Sequence, residues 1–220
     1  MSAPRIALIH AMPVAIEPVA HVFREMWPQA RITHLLDDSL PADLTAAGSI
    51  TPAIAERFVT LARYSVSCGA DAVLFTCSAF GTAIEEARKT VQVPVLKPNE
   101  AMLEEALAAG TDFALLATFE PSIPSLRSEF EALASSRGIK LRLKTRTIPA
   151  AIAALQQGRD SEHDRLIAAA AAEVGPCDAL VLGQFSMARA AAGIPPAPGR
   201  KVLTSPHSAV ARLKRIFAES

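Results

Sequence analysis

An internal repeat is the feature of this 220-residue chain that most constrains its fold. The run RIALI at residues 5–9 aligns with DFALL at residues 112–116, which lies 107 residues further along the chain. The same offset aligns DAVLFTC at residues 71–77 with DALVLGQ at residues 178–184. Landmarks that recur at a near-constant offset predict a chain built from two matching halves.

Each half alternates short apolar runs with longer segments rich in Ala, Leu and Glu, a pattern typical of strands and helices around a buried parallel sheet. The predicted fold class is therefore α/β, with two pseudo-symmetric lobes, each a parallel sheet flanked by helices, and an active site in the cleft between them. Strands are predicted near residues 5–10, 31–36, 71–76, 93–96, 112–117, 141–146, 178–182 and 201–204.

The boundary between the halves is predicted near Gly110, at the end of a helix that Pro98 and Asn99 open. The first lobe then spans residues 1–110 and the second lobe spans residues 111–220. The carboxyl end of the chain resembles the carboxyl end of the first half. The final helix, predicted over residues 208–219, is therefore a candidate to cross back and pack on the first lobe.

The charge composition argues against two classes of partner. Lys plus Arg and Asp plus Glu both number 22, so no net positive field is available to hold a nucleic acid or an anionic membrane. No apolar run approaches the roughly 18 residues of a membrane span, and no signal-peptide core precedes the first predicted strand. We therefore expect a cytoplasmic protein that acts on small molecules, without nucleic-acid or membrane partners. A homo-oligomer is compatible with the sequence.

The candidate site residues directly follow predicted strands. In an open parallel sheet the ligand lies beyond the carboxyl ends of the strands. The turns concerned are residues 10–13 and 76–79 in the first half, and residues 117–120 and 183–186 in the second half. Two similar lobes would direct these four turns at each other across a cleft.

Cys77 is the strongest chemical candidate, because it stands in a TCS triplet where a strand gives way to a helix. Free N–H groups at a helix start favour a thiolate, so we expect its pKa to fall from about 8.5 into a range of about 3.5 to 7.5. The alternative is a small buried residue that closes a core strand. Cys68 and Cys177 are predicted to be structural, and the cysteine spacing is not that of a metal site.

The motifs DAVLFTCSAFG and VPVLKP, followed by DFALLAT and DALVLG, resemble the aspartate/glutamate/hydantoin racemase family over nearly the whole chain. The resemblance implies two pseudo-symmetric lobes, no cofactor and a small carboxylate substrate, with one cysteine from each lobe facing the substrate α-carbon. The first family cysteine maps onto Cys77. The family's carboxylate contacts map onto the backbone amides of Ser78 and Ala79 and onto Thr118.

The sequence departs from the family pattern at the second cysteine. Where the family shows VLGCT, this chain has VLGQF, so Gln184 and Phe185 replace the second cysteine and the threonine after it. An amide cannot exchange a proton with carbon, but it can donate hydrogen bonds. We expect Gln184 to orient the substrate and Phe185 to pack on its body.

Two residues near the ends of the first strand of each half are candidates to replace the missing acid or base. His10 changes its charge near neutral pH, and burial would raise the pKa of Glu120 enough for it to donate a proton. The alternatives are a histidine that caps a turn and a carboxylate that is simply solvated.

The sequence therefore predicts a cofactor-independent, racemase-like enzyme that acts at the carbon next to a carboxylate with one cysteine, Cys77, and no metal. One alternative is a lyase similar to arylmalonate decarboxylase, a single-cysteine family member in which one thiol protonates one face of a planar enediolate. The cysteine of that enzyme belongs to the second lobe, whereas Cys77 belongs to the first. The other alternative is a protein that binds a small carboxylate without catalysis.

Overall fold

The computed structural model describes residues 3–219, which form two four-stranded parallel sheets flanked by helices. The strand order is β2-β1-β3-β4 in the first sheet and β6-β5-β7-β8 in the second. The predicted α/β fold with two similar lobes is confirmed. The strands are β1 Arg5–His10, β2 Arg31–Leu36, β3 Ala72–Phe75, β4 Val95–Leu96, β5 Asp112–Ala117, β6 Arg142–Thr147, β7 Ala179–Leu182 and β8 Lys201–Thr204.

Helices connect the strands and cover both faces of each sheet. Four short 3-10 turns, at Pro13–Ala15, Ser78–Phe80, Glu120–Ser122 and Phe185–Gly193, follow the central strands. The helices of the described residues are α1 Ile16–Met26, α2 Leu40–Ala47, α3 Pro52–Ser67, α4 Gly81–Arg88, α5 Glu100–Ala109, α6 Ile123–Ser136, α7 Pro149–Gln156, α8 Asp160–Ala172 and α9 Ser205–Ala218.

The apolar runs of the sequence form the middle of each sheet. Strands β1, β3, β5 and β7 are buried along nearly their whole length, because helices pack on both sides of them. The edge strands β2 and β6 are only partly buried and carry the basic residues, including Arg31 and Arg142. The repeat also places Phe23 of α1 and Phe130 of α6 at equivalent, fully buried positions.

Local sequence signals determine where helices begin. At the start of α3 the Thr51 hydroxyl accepts a hydrogen bond from the Ile54 N–H group at 3.2 Å, and Pro52 occupies the first turn. The final helix begins at Ser205, three residues before the predicted start. The reason is that Pro206 lies inside its first turn, where a missing N–H group breaks no helical hydrogen bond.

Helices α5 and α9 cross between the two halves of the chain. Met102 and Leu103 of α5 are buried in one apolar cluster with Phe113 of β5. Val210 and Leu213 of α9 are buried in the cluster formed by β1 and α1. The helix that ends the first half thus completes the core of the second sheet, and the helix after β8 completes the core of the first.

Candidate active site

A pocket lies where the carboxyl ends of the central strands of the two sheets face each other. Its empty volume is about 400 Å³, part of which is open to solvent. The turns after β1 and β3 line one side, and the turns after β5 and β7 line the other, together with one residue of α7. The lining residues are Met12, Val14, Ala15, Thr76, Cys77, Ser78, Thr118, Phe119, Ile152, Gln184, Phe185 and Ser186.

Most of the predicted site residues meet in this pocket, namely Cys77, Ser78, Thr118, Gln184 and Phe185. They come together because the repeat places two equivalent strand ends in each lobe, and the four ends face one pocket. Sequence reasoning missed Ile152. It belongs to α7, which follows the edge strand β6, and no local signal in its alanine-rich surroundings distinguishes it from a core residue.

Three predicted site residues do not line the pocket. Ala79 is buried in the turn after Cys77. His10 is buried behind the pocket wall, and Glu120 is exposed at the first position of its turn. Of the two candidates for a second acid or base, neither therefore borders the space that the other predicted residues share.

Cys77 is held as a protonated thiol rather than as a thiolate. Burial raises its pKa to about 11, although the Ala79 backbone N–H group donates a hydrogen bond that favours the thiolate. The prediction of a lowered pKa is wrong for two reasons. The single 3-10 turn Ser78–Phe80 separates Cys77 from the start of α4. In addition, the loss of solvation raises the pKa of the thiol by more than the one hydrogen bond from the Ala79 amide lowers it. The side chain still keeps partial exposure.

The reactivity of Cys77 provides a direct check of this pKa. Because the thiolate is the species that reacts, we expect its alkylation by iodoacetamide to accelerate about tenfold per pH unit from pH 7 to pH 10 without a plateau. Mass spectrometry of the Cys77 peptide measures the rate, and the exposed Cys68 in the same sample reports the activity of the reagent. A plateau below pH 8 would contradict the raised pKa.

The side chain of Gln184 accepts hydrogen bonds from the turn that lies opposite Cys77. Its Oε1 atom accepts a hydrogen bond from the Thr118 backbone N–H group at 2.6 Å and another from the Thr118 hydroxyl at 2.8 Å. Its Nε2 group lies 3.4 Å from the Ser122 hydroxyl. The resemblance assigned Thr118 to the substrate carboxylate. In this structure both donors of Thr118 bond to an amide oxygen of the chain itself.

His10 is a neutral, fully hydrogen-bonded imidazole. Its Nδ1 atom lies 2.9 Å from the Thr76 hydroxyl, and its Nε2 atom lies 3.0 Å from Nδ1 of His34 on β2. Burial, and secondarily the neighbouring His34, lowers the pKa of His10 to about 4. His10 therefore does not offer a positive charge to a substrate carboxylate at neutral pH.

One hydrogen bond across the pocket joins the two lobes. The Ser78 hydroxyl donates to the Gly183 carbonyl at 3.2 Å, and both residues are buried. Gly183 leaves no room for a side chain, because an added Cβ atom would lie 2.9 Å from a methyl group of Leu126 and 3.2 Å from the Leu116 carbonyl oxygen. The absence of a side chain at Gly183 thus lets its turn pack closely on β5 and α6, and the Ser78 hydrogen bond ties this turn to the turn of Cys77.

The pocket is electrically neutral at pH 7. Among its described lining residues none is Asp, Glu, His, Lys or Arg, and Cys77 is the one titratable side chain. Half of the lining side chains are apolar, among them Phe119, Ile152 and Phe185.

Across residues 3–219, no group of three or more His, Cys, Asp and Glu side chains is placed to hold a metal ion. No helix in the same range is long and apolar enough to cross a membrane.

The comparisons with known proteins agree with this architecture. The family model described as Asp/Glu/Hydantoin racemase matches residues 25–213. The fold is similar to that of the aspartate racemase of Picrophilus torridus, at 15% identity and a TM-score of 0.70, over 98% of this chain and 95% of that one. It is also similar to the glutamate racemase of Thermus thermophilus in complex with β-chloro-D-alanine, at 18% identity and a TM-score of 0.69, over 99% of this chain and 81% of that one.

A third similar structure is a liganded double mutant of arylmalonate decarboxylase, in which a glycine is replaced by cysteine and a cysteine by serine. It matches with 17% identity and a TM-score of 0.66, over 97% of this chain and 92% of that one. At these identities the solved structures show the fold alone. No curated protein matches the sequence significantly.

Proposed function

The chain belongs to the Asp/Glu/Hydantoin racemase family, and from this premise we propose that it is a cofactor-independent enzyme that transfers a proton at the carbon next to a carboxylate, with Cys77 as its one acid. The observation that carries the proposal is the pocket itself. Cys77 is the one titratable group among its described lining residues, and it stands there as a thiol.

The protonated state of Cys77 supports a reaction that needs a proton donor. With a pKa of about 11, only about one thiol in 10⁴ is ionised at pH 7. A resting thiol cannot remove a proton from carbon, but it can protonate a carbanion or an enediolate. We infer that the reaction generates such a species before Cys77 acts.

Decarboxylation of a malonate-type acid fits this requirement. Loss of carbon dioxide from a geminal dicarboxylate breaks one carbon–carbon bond and leaves its electron pair in the enediolate of the remaining carboxylate. The Cys77 thiol then donates its proton to that carbon, which yields a monocarboxylate and a thiolate. Each turnover consumes one proton, which solvent must return to the sulfur.

The lining of the pocket also supports a substrate with an apolar body. The described lining residues offer no charged partner, which disfavours an amino dicarboxylate with its three charged groups more than a malonate-type acid with two. Phe119, Ile152 and Phe185 suit an aryl or alkyl substituent instead. The backbone N–H groups at the turn after Cys77, beginning with that of Ser78, are the donors that we assign to the carboxylate.

An isomerase is the second candidate, and the aspartate and glutamate racemases among the similar structures favour it. Racemisation needs a base on one face of the α-carbon and an acid on the other. Gln184 stands at the position that the repeat pairs with Cys77, and its amide can serve as neither. We therefore expect isomerisation to be slower than decarboxylation.

The test is incubation of the protein in deuterated water with 2-methyl-2-phenylmalonate, hydantoins and a set of amino acids, followed by NMR. We expect carbon dioxide release from the malonate and one deuterium at the α-carbon of the product. Exchange of amino-acid α-protons without carbon dioxide release would instead establish the isomerase. Binding of these compounds without turnover of any of them would contradict both and leave a carboxylate-binding protein.

A further inference from the structure

A line of hydrogen-bonded groups connects the pocket to the protein surface. Thr76 lines the pocket, His10 lies behind it with 0% of its surface exposed, and His34 is exposed on the edge strand β2. The Thr76 hydroxyl lies 2.9 Å from His10 Nδ1, and His10 Nε2 lies 3.0 Å from His34 Nδ1. The two imidazole rings are stacked, with centroids 5.2 Å apart.

Each member of this line can receive a proton on one side and release one on the other. A neutral imidazole has one N–H donor and one nitrogen acceptor, and a hydroxyl both donates and accepts. Burial lowers the pKa of both histidines, so both rings are neutral at pH 7. The rings can therefore change tautomer without a charge being placed in the protein interior.

We propose that His34, His10 and Thr76 form a proton relay that returns one proton per turnover from solvent to the pocket, where it restores the Cys77 thiol. The inference rests on the proposed function, because it assumes that Cys77 gives up a proton in each turnover. Thr76 precedes Cys77 in the chain, and both side chains line the pocket. No other titratable side chain among the described lining residues can supply that proton.

The transfer balances in protons. Before transfer, His34 donates from Nδ1 to His10 Nε2, and His10 donates from Nδ1 to Thr76. In the transfer, Thr76 releases its hydroxyl proton into the pocket and takes the proton from Nδ1 of His10. The Nε2 atom of His10 then takes the proton from Nδ1 of His34. Solvent finally protonates Nε2 of His34. Both rings end neutral in the opposite tautomer. The hydroxyl of Thr76 can also turn to the Ile9 carbonyl, 3.4 Å away. Before the next turnover each ring returns to its first tautomer by losing the Nε2 proton to water and taking a proton from water at Nδ1, with no net gain or loss of protons.

The first measurement requires no substrate. The N–H proton of the buried His10 ring should exchange with water through His34, and NMR of ¹⁵N-labelled protein measures the exchange rate. Phenylalanine at position 34 keeps the stacked ring but cannot pass a proton, so we expect His34→Phe to slow the exchange about tenfold or more. His21→Phe, at an exposed histidine of α1, is the matched control and should leave the rate unchanged. Wild-type exchange in the His34→Phe variant would overturn the relay.

The second measurement separates the relay from a merely structural role of Thr76. In rapid-quench experiments with 2-methyl-2-phenylmalonate, the first turnover uses the proton already on Cys77, and later turnovers need the relay. We expect Thr76→Val to form one product per site at the wild-type rate and then to slow about tenfold or more. Thr76→Ser should restore the steady state, and Thr33→Val on β2 should not alter it.

Two outcomes of the kinetic experiment would overturn the relay. Thr76→Val could keep the wild-type steady-state rate, which would show that protons arrive by another route. It could also slow the first and later turnovers equally, which would make Thr76 a positioning residue. If the wild-type protein does not turn over the malonate, the assumed decarboxylation is contradicted, and the His10 exchange rates alone decide whether the relay exists.

Discussion

A Cys77→Ala variant is expected to fold normally and to lose at least about 10³-fold in turnover of any substrate that the wild-type protein converts. The loss follows from the pocket, in which Cys77 is the one titratable side chain among the described lining residues. The fold should persist, because removing one sulfur leaves only a small space at the edge of the first apolar cluster and breaks one hydrogen bond, that from the Ala79 amide. Circular dichroism and the thermal midpoint check the fold, and NMR follows product formation.

Two matched variants test whether the loss of turnover is specific to Cys77 or follows from the removal of any thiol. Cys68→Ala and Cys177→Ala each remove one sulfur outside the pocket, and both should retain wild-type turnover. Cys77→Ser replaces the thiol by a poorer proton donor and should fall between the wild type and Cys77→Ala. Turnover by Cys77→Ala at the wild-type rate would exclude Cys77 as the acid.

A Gln184→Cys variant is expected to lose the enantiomeric preference of the wild-type product. The substitution places a thiol at the position that the repeat pairs with Cys77, and it frees the N–H and hydroxyl groups of Thr118 from the Gln184 oxygen. A proton donor on each face lets a planar enediolate be protonated from both sides. We therefore expect the decarboxylation product to shift from one enantiomer towards a racemate.

The same variant should be less stable, by about 1–3 kcal/mol, because two donors of Thr118 lose their acceptor in a partly buried turn. Chiral chromatography measures the enantiomer ratio, and denaturant unfolding measures the stability. Gln184→Ser is the control, since it also frees Thr118 but adds no thiol. It should show the loss of stability without the shift towards a racemate, and an equal shift in both variants would argue against protonation by the new cysteine.

Much of the fold could be predicted from the repeat, because the apolar pattern of each strand and the constant offset between the halves are both visible in the sequence itself. The central strands β1 and β5 were placed with the bounds that the structure has. The strand ends also identified the turns of Cys77 and Gln184, since parallel strands end at one edge of a sheet. The repeat made the final helix a candidate to pack on the first lobe, where α9 lies, but it did not indicate that α5 packs in the core of the second sheet.

The chemistry of the site was less predictable, because it depends on distances across the chain. The raised pKa of Cys77 arises from the loss of solvation that the assembled turns impose, which a strand-to-helix junction does not reveal. Gln184 was expected to face a substrate, but its oxygen is held by Thr118, which lies 66 residues away in the sequence. His10 lies at a strand end, as expected, yet it does not line the pocket, and its ring nitrogens face Thr76 and His34 of β2.

The crossing of α9 has a consequence for how the protein is made. Trp27 and Phe23 are buried in the cluster that Val210 and Leu213 complete, and the rings of Trp27 and Phe217 have centroids 5.8 Å apart. A nascent chain that has emerged as far as the second sheet still lacks α9, so this aromatic surface remains open on the ribosome. The core of the amino-terminal lobe, although this lobe is synthesised first, is therefore completed last. Until α9 emerges, the aromatic surface of α1 is the part of the lobe that chaperones would have to shield.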